Sequence, residues 1–416
     1  MQVTARLEHD FSSKWSAQIA ARYTRNTYDQ QAVALRTLAA DNRTLSRSWN
    51  RFTEAQNEYA VFGSIDGEFT TGTIEHELRA AGEFARFTYA SLFLGGSIGP
   101  INIANPVYGL TPFVFSPPFD DTVDQISATG LSLQDRITLL PGFKLLLGGR
   151  VDWIDTERRS KLTGQVGRRS PFAFSPRAGA TFDVTPNVTL YGSWGRNIES
   201  QNNGGSNATL TPFEPVRGEQ YEAGIKLSQN ERVSATFGVY RINATGVLTA
   251  DPNSRFSIPT GRRRSQGAEL EVNWQPVAGL SLLGCVSYTD AEIVSDTRLP
   301  VGTPIGNVPE WRARLFAAYE VAHGKLAGLG LNGSVTHVGS QLGNLAAVAT
   351  QFTVPQSTIV DAGISYRTGP LRIAVQARNL FDQRHFIRGA FDGRNIIPGD
   401  PRSIFVSLTY AWQKQR

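Results

Sequence analysis

Near its C-terminal end the chain alternates apolar and mostly small or polar side chains with a period of two. Ile404, Val406, Leu408, Tyr410 and Trp412 alternate with Ser403, Phe405, Ser407, Thr409 and Ala411. Successive side chains of a strand point to opposite faces, so this stretch is a strand with one apolar face that ends in two aromatics. The pattern recurs throughout. Phe143, Leu145, Leu147, Val151 and Trp153 oppose Lys144, Arg150 and Asp152; Ala268, Leu270, Val272 and Trp274 oppose Glu269, Glu271 and Asn273. Trp311, Ala313, Leu315 and Tyr319 oppose Arg312, Arg314 and Glu320, and Leu371, Ile373 and Val375 oppose Arg372, Gln376 and Arg378.

Reading the alternation between turn signals predicts about seventeen strands. They span 2–10, 14–26, 57–70, 73–91, 122–138, 143–157, 174–184, 188–197, 219–229, 232–243, 263–275, 280–291, 311–322, 326–339, 358–367, 371–381 and 402–412. Short connections (11–13, 71–72, 139–142, 185–187, 230–231, 276–279, 323–325, 368–370) alternate with long ones (27–56, 92–121, 158–173, 198–218, 244–262, 292–310, 340–357, 382–401). Periplasmic turns and extracellular loops sort this way in a membrane barrel, whereas a soluble sandwich has the same solvent at both ends. Apolar faces that end in Trp or Tyr suit lipid with aromatic girdles, and the charged faces then line a wet lumen. The expected fold is all-β: a transmembrane antiparallel β-barrel over residues 1–412, followed by a polar tail at 413–416.

Composition agrees. The chain has 416 residues, 40% hydrophobic and 19% charged, and no apolar run of the length a membrane helix needs. The net charge of +5 is small for this length and gives little support to an anionic partner. One cysteine, Cys285, excludes an internal disulfide, and its neighbours put it on the polar face of its strand. Met1 runs directly into an alternating stretch, with no basic, apolar and small-residue leader pattern. The first and last expected strands both precede or follow connections that make them run downward. An odd count leaves unpaired edges that lipid does not tolerate, so the chain reads as the C-terminal part of a larger barrel.

Six stretches occur in a recognisable order: Phe174-Ser-Pro-Arg-Ala-Gly-Ala180 with Leu190-Tyr-Gly-Ser-Trp194, Gly218-Glu-Gln-Tyr-Glu-Ala-Gly-Ile-Lys226, Ser265-Gln-Gly-Ala-Glu-Leu-Glu271, Ala377-Arg-Asn-Leu-Phe-Asp382, and Gly399-Asp-Pro-Arg402 before the terminal aromatic strand. Through them the chain resembles the C-terminal barrel of TonB-dependent outer-membrane receptors, ferric-siderophore branch. The resemblance implies a barrel of roughly 22 strands around a plugged lumen, of which about five strands and the plug with its TonB box are missing here. It implies a location in the bacterial outer membrane and uptake of a ferric siderophore energised through TonB. The TonB complex would act only through the absent plug. Lipid and lipopolysaccharide would surround the barrel, and no nucleic-acid partner is implied. The competing readings are a passive porin-like channel, an outer-membrane enzyme or adhesin on the same scaffold, and a truncated, non-functional receptor remnant.

No cofactor, catalytic residue or metal site is expected. His9, His76, His323, His337 and His385 are dispersed, without ligand spacing, so iron would arrive already chelated. Ligand contacts are expected on the long connections: Trp49, with Arg43, Arg47, Arg51 and Phe52, in 27–56; Tyr108, Phe113, Phe115 and Phe119 in 92–121; His385, Phe386, Arg388, Phe391 and Arg394 in 382–401. Rings give contact area and guanidinium pairs with carboxylate or catecholate oxygens. The motif residues Arg177, Tyr221, Glu222, Gly267, Glu269, Asn379, Asp382, Arg402, Tyr410 and Trp412 read as structural or assembly elements. Among them Asn379, Asp382 and Arg402 would pin strand ends, while Glu222 and Glu269, with Glu271, would pair with lumen arginines.

Overall fold

The computed structural model describes residues 1–109, 114–201, 207, 209–229, 232–254, 256–344, 351–389 and 396–412. The polar tail at 413–416 therefore lies outside the described residues. Every element assigned among them is a strand. In order these are β1 (Gln2–Asp10), β2 (Trp15–Leu38), β3 (Thr44–Thr71), β4 (Ile74–Asn102), β5 (Val114–Phe115), β6 (Asp120–Leu140), β7 (Phe143–Ser160) and β8 (Val166–Arg169). There follow β9 (Phe172–Thr185), β10 (Val188–Glu199), β11 (Val216–Gln229), β12 (Val233–Ala250), β13 (Ser257–Trp274), β14 (Leu280–Ser295), β15 (Trp311–Glu320) and β16 (Leu329–Val338). The last are β17 (Gln341–Leu342), β18 (Thr353–Val354), β19 (Ser357–Thr368), β20 (Leu371–Arg378), β21 (Phe386–Gly389), β22 (Ile396–Pro398) and β23 (Ser403–Tyr410).

Each of the seventeen expected spans coincides with a long strand, and the six short ones lie within expected connections. The lengths differ. The connection expected at 27–56 shrinks to 39–43 and that at 244–262 to 251–256, because β2, β3, β12 and β13 continue well past the expected ends. The strict alternation of short and long connections is therefore an overstatement. Beyond the lipid both faces of a strand meet water, apolar alternation fades, and the reading stops the strand too early.

Residues divide into two compact units. The first comprises Met1–Ile137, Leu147–Pro176 and Ile198–Pro215; the second comprises Thr138–Leu146, Arg177–Asn197 and Val216–Arg416. In the first, β1, β2, β3 and β4 form an antiparallel meander in which each strand pairs with the next. In the second, β9 pairs with β10, and β11 to β16 run on through β19, β20 and β23, antiparallel at each step.

Register turns the alternation into continuous rows. Leu280, Tyr319, Leu331, Ile364, Val375 and Val406 stand side by side across six strands. One residue along, Ser281, Ala318, Asn332, Gly363, Gln376 and Phe405 form the opposite row. The apolar rows are open to the surroundings: Ile404 is 68%, Val406 72% and Leu408 69% exposed. The buried set is instead mainly polar, including Ser64, Ser91, Thr122, Asp124, Asp152 and Thr156. A soluble domain would bury these rows, so the arrangement is that of strands whose apolar face meets lipid. The fold is a transmembrane antiparallel β-barrel.

Candidate functional site

In the first unit the tall strands carry their alternation above the lipid. Tyr28 of β2, Phe52 of β3 and Phe93 of β4 fall on the face that lower down carries Gln18, Glu58 and Glu83. Their rings touch in sequence: Tyr28–Phe52 at 6.4 Å, Phe52–Phe93 at 5.6 Å, and Phe93–Phe119 at 4.3 Å between centroids. Phe119 is held by its backbone N–H donating to Phe93 O, and its ring lies against Gly95. Tyr28 is 47% and Phe119 63% exposed, so the ring patch is available for contact.

A polar layer lies beside the rings, on β3 and β4 and on the next strands β6 and β7. Tyr89 Oη donates to Glu54, and the Ser91 and Thr122 hydroxyls share a buried hydrogen bond of 2.9 Å. Asp124, only 5% exposed, has Arg158 Nε at 3.6 Å from its Oδ1. Rings beside buried donors, acceptors and opposite charges can grip a ligand that is part aromatic and part ionic. At the hairpin tip, Asp41 accepts from Thr44 Oγ1 (2.6 Å), Thr44 N and Arg43 N. These bonds, led by that from the Thr44 hydroxyl, hold its carboxyl below the ordinary 3.8.

The residues expected to bind ligand are only partly gathered. Trp49 and Phe115 meet edge to face at 4.6 Å, but on the opposite face of β3 and β4 from the Phe52–Phe93 patch, and Trp49 is 2% exposed. Trp49 is thus a packed residue of β3 and not part of a loop. Arg47, Arg51 and Phe52 likewise lie in β3, and Arg51 is bound to Asp29 at 2.7 Å. Tyr108 stands on the 103–109 segment, largely exposed. His385, Phe386 and Arg388 belong to the second unit, the last two on the small β21–β22 ribbon. Phe113, Phe391 and Arg394 lie outside the described residues. Tyr28, Phe93, Tyr89, Glu54, Asp124 and Arg158 are missing from the sequence reading. Continuing the parity of Gln18, Glu58 and Glu83 upward along their own strands reaches the first four.

The second unit clasps its last long connection at the base. Asn379 is 4% exposed with φ at 47°. Its Nδ2 donates to Gln383 O and Asp400 O, both at 3.0 Å, and its Oδ1 accepts from Gln383 N. Asp382 Oδ1 accepts from Arg402 N at 2.9 Å, so among the described residues it is the backbone of Arg402 that engages. Further out, Asn307 (φ 61°) accepts from Gly389 N at 2.9 Å and Gln341 Nε2 donates to Ile387 O at 2.9 Å, which ties three connections together.

The motif strands form a hollow of about 570 Å³ whose lining includes Tyr191, Glu222, Glu269, Glu271, Cys285 and Arg312. Cys285 shares this polar face, opposite Glu271 and Arg314 in register. The expected glutamate–arginine pairs are absent among the described residues. Glu222 instead accepts from Tyr191 Oη at 2.8 Å, because the phenol reaches across from β10. A Cβ on Gly238 would sit 2.8 Å from that phenol oxygen, and one on Gly267 would meet Tyr288 O at 2.0 Å and Tyr240 Oη at 3.0 Å. Glycines on these strands make room for neighbouring backbone and for tyrosines lying across the strands. Tyr221 pairs in register with Arg241, and Arg177 with Gly195. Tyr410 and Trp412 meet at 6.0 Å on the apolar face.

Among curated proteins, the metal-pseudopaline receptor CntO of Pseudomonas aeruginosa is 31% identical over 97% of this chain and 58% of its own length. The ferrichrome outer membrane transporter/phage receptor of Escherichia coli is 30% identical over 92% of this chain and 52% of its own. The chain thus spans little more than half the length of these relatives. Among solved structures, the siderophore receptor PiuA from Acinetobacter baumannii superposes with a TM-score of 0.87 over 98% of this chain and 64% of that one, at 19% identity. The family model described as TonB dependent receptor-like, beta-barrel matches residues 1–380. With strand order, faces and motif strands in agreement, the chain belongs to the TonB-dependent receptor β-barrel family, a family of outer-membrane receptors and transporters.

Proposed function

We propose that this chain supplies the membrane-spanning and ligand-gripping part of an outer-membrane receptor that takes up a chelated metal of the ferric-siderophore class. The observation that carries this is the row of touching rings, Tyr28 and Phe119 exposed at its ends and Phe52 and Phe93 half-buried between them, beside the polar layer of Tyr89, Glu54, Asp124 and Arg158. The printed descriptions of the relatives, receptors for metal-pseudopaline and ferrichrome, support the same class. On this reading iron is cargo, no chemical step occurs, and transport follows from differential binding in two states of the upper strands and loops. Energy would enter through TonB, as the family name implies.

The test is growth of cells lacking other iron receptors on ferric hydroxamate, catecholate and citrate chelates, with binding read by fluorescence quenching. One class supports growth, and a protonophore stops its uptake. Phe93→Ala weakens binding about tenfold, equivalent to about 1.4 kcal/mol for a lost aromatic contact. Tyr89→Phe weakens it less, because the ring remains. Absence of binding and growth with every chelate sinks the reading. Uptake indifferent to the protonophore favours the passive channel.

A further inference from the structure

A carboxylate on a lipid-facing row is out of place unless it has a task. Asp135 lies on the same face of β6 as Leu133 and Ile137, and His76 lies between Ile74 and Leu78 on the apolar face of β4. The two side chains meet: His76 Nδ1 and Asp135 Oδ2 are 2.7 Å apart, and Thr71 Oγ1 is 2.6 Å from His76 Nε2. Phe69 stacks flat on the imidazole, with centroids 4.6 Å apart and an interplanar angle of 2°. The ring thus bridges the Thr71 hydroxyl and the Asp135 carboxyl through its two nitrogens. Oδ2 is satisfied. Oδ1 is buried with no hydrogen-bond partner among the described residues.

Asp135 also borders a hollow of the first unit of about 1030 Å³. Its apolar walls are Ile19, Ile65, Leu131, Leu133, Leu147 and Phe174. Small residues widen it: Gly63 stands in register with Ile19 and Gly82, and Ala80 with Ile65. The pair sits at the short-turn end of its strands, since β4 begins at Ile74 directly after the two-residue turn at 72–73. In this family short turns face the periplasm.

We propose that this face holds a phospholipid of the periplasmic leaflet whose headgroup carries a primary ammonium, as in phosphatidylethanolamine. The ammonium pairs with the Asp135 carboxylate, whose side chain is 22% exposed, and an acyl chain lies along the hollow. A carboxylate at an apolar wall selects a cation with N–H groups to donate, and the apolar walls ask for hydrocarbon. The site depends on the apolar face meeting lipid and not on the cargo, so it stands or falls separately from the uptake reading.

The test is native mass spectrometry of the delipidated full chain in detergent, titrated with phosphatidylethanolamine, phosphatidylglycerol and phosphatidylcholine. One phosphatidylethanolamine binds about fivefold more tightly than the other two, the size of a partly exposed ion pair. Phosphatidylcholine separates donation from charge, because its quaternary ammonium has no N–H, and this comparison needs no variant. Asp135→Asn brings phosphatidylethanolamine down to the level of the others. Ala80→Phe, which fills the hollow, lowers all three together. Equal binding of the three lipids overturns the proposal, as does an Asp135→Asn protein that keeps the preference while retaining the heat-dependent gel mobility of a folded barrel.

Discussion

The two units reach beyond the lipid by different means. In the first, β2, β3 and β4 run for 24, 28 and 29 residues, and the outer part is simply more ladder. In the second, β12 and β13 also stand tall at 18 residues each, but β15, β16, β20 and β23 have 10, 10, 8 and 8, and there the outer part is irregular chain tied by named side chains. Ladder hydrogen bonds are made by backbone and tolerate many sequences, so the tall strands can vary their side chains to suit a ligand. Irregular chain has no ladder, and its polar groups must be satisfied one at a time. Asparagine suits that work, because it donates, accepts and tolerates positive φ. The difference implies that single substitutions damage the second unit's loops far more than the first unit's hairpins.

Asn379→Ala is the sharpest way to break the comparison. It leaves Gln383 N, Gln383 O and Asp400 O without their partner and places alanine at positive φ. The expected loss is about 2–4 kcal/mol, read as a lower urea midpoint by tryptophan fluorescence in lipid vesicles. Gln30→Ala, in the hairpin, shifts the same midpoint by less than about 0.5 kcal/mol. Equal effects at the two sites would remove the contrast.

Asn307 sharpens it further. Asn307→Gly keeps the backbone geometry and loses only the bonds to Gly389, while Asn307→Ala adds strain at φ 61°. Proteolysis of residues 296–310 speeds up in both, by about 1 kcal/mol of opening for glycine and about 2 kcal/mol for alanine. Identical rates for the two variants would mean that the conformation carries no strain.

The smallest effect lies at the hairpin tip. Asp41 has its carboxyl pulled below the ordinary 3.8 by bonds present only in the folded tip. Such a group adds its stabilisation above the ordinary value and loses it as pH falls through the lowered one. Amide exchange at 39–44, corrected for the intrinsic rate, therefore keeps its protection from pH 7 to about 4 and loses it only below the ordinary carboxylate range. Loss of protection already at about pH 5 would assign the tip's order to something else.

The uptake reading concerns the first unit, and Phe93 shows why part of it escaped the sequence. Its odd-numbered neighbours Tyr89 and Ser91 continue the face of Glu83, so parity places it correctly. The assumption that strands end where apolar alternation ends put it in a loop. Trp49 is misplaced by the same assumption: it stands in β3 and not in a loop, and its ring is packed against Phe115, 66 positions along the chain.

By itself the sequence determined the element type, the two faces of each strand and which ends carry the tight turns, because period two and turn chemistry are local properties of neighbouring residues. Only the tertiary structure decided how tall the strands stand, which rings touch, that Glu222 meets a phenol and not an arginine, that the backbone of Arg402 does the pinning, and that His76 finds Asp135. Each of these depends on cross-strand register between residues far apart in sequence, and a one-residue slip would send every one of those side chains to the opposite face.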